Sequence, residues 1–138
     1  MSTIIEKEKN LIRAMREQDF QLFFEGDRED ALDTISSAFN SFPAYHNTVI
    51  RMTAIQPIIY ARYEGQELRD KMEDLDNTRS SAHESAISNI SMLNRICDAY
   101  GVEKIADIDT KNRYQVAEFV GQYCAEVYEA GKSRQGMI

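Results

Sequence analysis

An all-α bundle of about five helices is the fold this sequence predicts, and three observations carry the prediction. Apolar residues recur at spacings of three and four through most of the 138 residues. Turn signals sit at the ends of those runs, with Gly26, Pro43, Gly65 and Gly101 as punctuation. The stretch from Gln66 to Tyr100 repeats Leu68, Met72, Leu75, Arg79, Ala82, Ala86, Asn89, Leu93, Ile96 and Tyr100 in a heptad.

Each element follows from local signals. Thr3-Ile-Ile-Glu6 has capping-box spacing, and Leu11, Ile12, Met15, Leu22 and Phe23 continue at helical intervals, so a first helix is expected from there to Gly26. Asp27 caps a second, whose Ala31, Leu32, Ile35, Ala38 and Phe39 form one apolar face ending near Ser41-Phe42-Pro43. Pro43 suits a first helical position, so a third helix is expected there, burying Tyr45, Val49, Met52, Ile55 and Ile59. Pro57 interrupts that pattern, and Thr48-Val49-Ile50 is the one β-branched run where a strand competes; a bent helix is the reading adopted.

The heptad helix, residues 66–100, would be about 50 Å long at about 1.5 Å per residue. Its middle, Asp76 to Glu84, places Arg79 and small residues where a packed seam favours Leu or Ile. Helix-poor Asn77, Thr78 and Ser80, with capping-box spacing at Ser81 to Glu84, raise the alternative of a break. After residues 102–108, Asp109 is expected to cap a last helix bearing Val116, Phe119, Val120, Tyr123 and Val127, with a frayed tail from Gly131.

Composition narrows the function classes. One domain, 1–138, suits the length, and 43% hydrophobic residues supply a core without any Trp. A net charge of −7 argues against nucleic acid or an anionic membrane as partner. Cys97 and Cys124 match no metal or CxxC spacing and read as buried thiols of a cytoplasmic protein. The N-terminus has no signal-peptide pattern, and no run approaches the roughly 20 apolar residues of a membrane span.

No catalytic residue is assignable and no cofactor is implied. The densest polar group is Asp76, Arg79, His83 and Glu84. On one helix Asp76, Arg79 and His83 share a face, which suits an anion site or a histidine held for proton transfer, but equally a polar layer between helices or a solvated face. Metal binding is not expected: His46 and His83 are the two histidines, on different helices, and neither a paired Glu-x-x-His nor HExxH occurs. Glu64-x-x-Glu67, Glu73-x-x-Asp76 and Glu126-x-x-Glu129 have the spacing by which MazG-type hydrolases hold magnesium, a weak signal in a chain with 23 acidic residues. Phosphate-cradling glycine loops and nucleophile elbows are missing. Phe20, Phe23 and Phe24, with Tyr114, Tyr123 and Tyr128, have the helical spacing of core and interface fillers.

The segment Arg79-Ser-Ser-Ala-His83-Glu-Ser-Ala-Ile87, followed by Leu93-Asn94-Arg95 and, past a glycine, by Asp109, Arg113 and Val116-Ala-Glu-Phe119, resembles small all-helical bacterial and phage-associated domains of a family without assigned function. The likeness covers the C-terminal half. It implies a helical protein and adds Asn94 and Arg113 to the polar positions of interest. The leading expectation is a non-enzymatic helical bundle that forms a homodimer through the seam Leu75, Ala82, Ala86, Leu93 and Ile96 and binds another protein. The alternative is a small-ligand binder or hydrolase with a cleft around Arg79, His83 and Glu84.

Overall fold

A computed structural model describes residues 3–18 and 27–136 and places four helices among them: α1 (Ile4–Glu17), α2 (Arg28–Arg62), α3 (Gly65–Tyr100) and α4 (Arg113–Gly136). The all-α class holds, with four helices in place of about five. The capping boxes form at Thr3 and Asp27, each side chain accepting from the N3 backbone while Glu6 and Asp30 accept in return. α1 stops at Glu17, where Gln18 turns extended, well short of Gly26; Phe20, Leu22, Phe23, Phe24 and Gly26 lie outside the described residues.

The missing fifth helix is the second joined to the third. α2 runs unbroken through Pro43 and Pro57, so residues 48–59 are helical and the competing strand is not formed. Each proline forfeits one i→i−4 hydrogen bond, but around Pro43 tertiary packing outweighs that loss. Phe39 and Phe42 sit in one aromatic cluster with Phe119 and Tyr123, ring centroids 5.4–5.8 Å apart. α3 is likewise continuous through 77–81. Asn, Thr and Ser cost only tenths of a kcal/mol each in a helix interior, and Thr78 donates its hydroxyl to the Asp74 carbonyl without breaking the chain of turns.

α2 and α3 form a hairpin joined by Tyr63 and Glu64, with Gly65 opening α3 at φ +61°. Gly101 ends α3 in the left-handed conformation, φ 71°. The start of α4 is capped by Asn112 rather than Asp109: Asn112 Oδ1 accepts from the Tyr114 and Gln115 amides, while Asp109 Oδ1 accepts from the Lys111 amide within the preceding turn. α4 continues through Gly131, where a frayed tail was expected.

The core lies at the base of the hairpin, where α1 and α4 pack on it. Leu11, Ile35, Phe42, Ile90, Leu93 and Val120 are fully buried there. The Ile5 amide donates to Glu126 Oε1 and the Tyr123 hydroxyl donates to Glu8 Oε2, tying α1 to α4. Arg28 donates to the carbonyls of Arg16 and Gln18 and so binds the end of α1 to the start of α2. Beyond the core the hairpin becomes a two-helix arm: residues 65–85 of α3, about 30 Å of helix, hold no fully buried side chain.

Candidate functional site

Where the arm leaves the core, a cleft of about 350 Å³ opens between α2, α3 and the first turn of α4. Its polar walls are Arg79 and His83 from α3, Arg113 from α4 and Tyr45 from α2; Val49 and Tyr114 add apolar surface. Arg79 and His83 share a helical face four residues apart, as the spacing requires. Arg113 lines the same cleft because Asn112 caps the start of α4 there.

The Tyr45 hydroxyl lies 3.5 Å from His83 Nδ1, and the two rings are tilted 42° to each other with centroids 6.4 Å apart. Burial pushes the Tyr45 phenol up, while the positive charges of Arg113 and Arg79 pull against that shift. Tyr45 therefore stays a neutral donor near pH 7, beside two cations. Half-buried Arg79 meets exposed Asp76 at 3.8 Å, an i,i+3 pair at the limit of an ion pair. Arg113 lies over the Tyr114 ring at 5.5 Å, and among the described residues no carboxylate pairs with it. A shallower depression continues the cleft past Arg113 to Asp109 and Lys111.

The structure thus gathers three of the six polar candidates, Arg79, His83 and Arg113, with Asp76 alongside. Glu84 is exposed and outside the cleft lining. Asn94 has a different role: its Nδ2 donates to the Ala106 carbonyl at 2.7 Å and its Oδ1 accepts the Ala106 amide at 3.1 Å, pinning the α3–α4 connection. Tyr45 is the member that sequence reasoning assigned to the core alone. Its position four residues before Val49, on the α2 face toward α3, was the available signal.

The seam residues turn inward. Ala86, Leu93 and Ile96 are 2%, 0% and 1% exposed within the chain's own core, and Leu75 and Ala82 are half-buried. The short α2–α3 turn brings α2 along α3, so the heptad finds its cover in the same chain.

A second surface lies on the arm. Ile50, Ala54, Pro57, Ile58 and Ala61 recur at helical spacing and are all exposed, with Ile50 at 53% and Ile58 at 56%. They form a stripe on the side of α2 away from buried Met52 and Ile59.

Among the described residues, no group of three or more His, Cys, Asp or Glu is placed to hold a metal ion. His46 packs near Gly121 of α4, Glu64 and Glu67 sit at the arm tip, and Glu126 accepts from the α1 amide, so the acidic pairs do not converge. No helix among the described residues is long and apolar enough to cross a membrane. The chain belongs to the family described as "Protein of unknown function (DUF3232)", whose model matches residues 2–133, nearly the whole chain rather than the C-terminal half alone. No curated protein and no solved structure matches it.

Proposed function

We propose that this member of the family is a self-associating protein-interaction module, a homodimer joined along the outer faces of the two α2 arms. The observation that carries the reading is the exposed stripe Ile50, Ala54, Pro57, Ile58 and Ala61. Of the ten exposed residues between Ile50 and Arg62, only Arg51 and Arg62 are charged. A helix face that stays in water usually carries more charge than that, and a contiguous apolar strip on a projecting element is a typical contact surface. A two-fold axis between antiparallel α2 arms sets each stripe against its copy and turns two thin hairpins into a four-helix arm. The acidic side of α3, with Glu67, Asp70, Glu73 and Asp74, stays outward and keeps the assembly soluble and open to a protein partner. The two cysteines, one buried and one half-buried and both free, fit a reducing, cytoplasmic setting.

Size exclusion with light scattering over a hundredfold concentration range tests this. The expected result is a dimer for the native chain and a helical monomer for Ile58→Asp and for Ile50→Asp. A native monomer at every concentration, or a double variant that keeps the dimer mass, would overturn the reading.

A further inference from the structure

The cleft at the base of the arm concentrates charge of one sign in a chain of the opposite sign. Of 138 residues 23 are acidic, so ten positions drawn at random would include about one or two carboxylates. The ten that line the cleft include none, and they include two arginines and a histidine. Both arginines line one cleft, and the loose contact from Arg79 to exposed Asp76 neutralises little of that charge.

The geometry also specifies the anion. Arg79 and Arg113 come from different helices and present planar forks of donors, the arrangement that matches the several oxygens of a phosphate better than a single carboxylate. The Tyr45 hydroxyl and His83 Nδ1, 3.5 Å apart, bond to each other and leave a donor of the pair free for the anion. Apolar surface is interleaved with these groups: Val49 lies one turn beyond Tyr45 on α2, Ala117 lies one turn beyond Arg113 on α4, and the Tyr114 ring, 74% exposed, lines the cleft with the Arg113 guanidinium 5.5 Å from its centroid. A flat ring entering there has the exposed Tyr114 ring to stack on. The volume of about 350 Å³ lies at the small end of the range for ligand sites, about 300–1,000 Å³.

We propose that the cleft binds a small organic phosphate monoester with an aromatic body, of nucleoside monophosphate size, its phosphate on Arg79, Arg113 and His83 and its ring against Tyr114. This site is independent of the arm stripe, and its test does not depend on the oligomeric state.

Isothermal titration calorimetry on the full chain, with adenosine 5′-monophosphate, adenosine and inorganic phosphate as probes, decides it. The monophosphate is expected to bind at least tenfold more tightly than either of the others. Arg113→Gln and Arg79→Gln should each weaken it at least tenfold with far-ultraviolet circular dichroism unchanged. Arg113 is exposed, so its variant separates loss of binding from loss of fold. Glu84→Gln, outside the lining, should bind like the native chain. No binding of the monophosphate at millimolar concentration would overturn the proposal. So would equal affinity for adenosine, equal affinity for inorganic phosphate, or binding that survives in the Arg79→Gln, Arg113→Gln double variant.

Discussion

Replacing Asn94 with Ala should cost the fold substantial stability, because Asn94 clamps the α3–α4 connection. Asn94 forms two hydrogen bonds to one residue, donating to the Ala106 carbonyl at 2.7 Å and accepting the Ala106 amide at 3.1 Å. Ala106 is 3% exposed and follows Ile105, which is 0% exposed, so truncation strands an amide and a carbonyl where water has little access. An unsatisfied buried polar group costs about 1–3 kcal/mol, and partial relaxation of the connection brings the pair to about 2–4 kcal/mol. Unfolding entropy near 2.1 cal/mol/K per residue gives about 0.29 kcal/mol/K for 138 residues, so Tm should fall by about 7–14 °C. Thermal and urea unfolding followed by circular dichroism measure this, and hydrogen exchange at the Ala106 amide localises it. Asn94→Asp supplies a control. Its carboxylate still accepts from the amide but opposes the Ala106 carbonyl oxygen, so it should be as damaging as Ala at pH 7 and partly recover as the acid regains a proton near pH 4. A fall in Tm below about 3 °C with unchanged exchange at Ala106 would refute the clamp.

Two further outcomes follow from buried ionisable groups. Burial raises the Cys97 thiol to about 11 and raises half-buried Cys124 as well, so a thiol reagent at pH 8 should label Cys124 first and reach Cys97 on the timescale of unfolding. Rapid native labelling of Cys97, read by mass spectrometry of peptides, would contradict its place in the core. Burial also raises the Glu8 carboxyl, with the Tyr123 hydroxyl bond and Lys9 opposing the shift. A carboxyl that holds its proton more tightly when folded favours the fold at pH below its unfolded value, and that contribution fades as pH rises through the folded one. Glu8→Gln should therefore match the native chain at pH 4 and equal or exceed it at pH 7 by less than about 1 kcal/mol, because the site is half exposed. A clear loss at pH 7 in urea unfolding would show that the ionised carboxylate is the stabilising form.

Local chemistry was legible wherever one residue decides the outcome. The capping boxes at Thr3 and Asp27 and the left-handed Gly101 are interactions within four residues, and they form where the sequence places them. Misreadings arise where tertiary packing competes with a local signal. Pro43 signals a helix start, but Phe39 and Phe42 on its N-terminal side already belong to the aromatic cluster with α4, and stopping the helix there would pull them out. Asp109 and Asn112 are both competent caps, and the choice rests on the two-residue turn that Asp109 makes with Lys111.

The same distinction governs the functional surfaces. The heptad correctly identified Leu93 and Ile96 as a face in need of cover, but periodicity on one helix carries no information about which helix supplies it. A turn of two residues answers that, since α2 must return along α3 and takes the seam for itself. Past the core, however, α2 has one neighbour and two apolar faces. Met52 and Ile59 use the first, and Ile50 and Ile58 leave the second uncovered. The cleft arises from the same geometry: Arg79 and His83 lie where the arm emerges, too far out for the core to bury and close enough to α4 for Arg113 and Tyr114 to close one side. A polar middle in an otherwise apolar heptad is thus the mark of the level at which the bundle opens, and both the stripe and the cleft begin there.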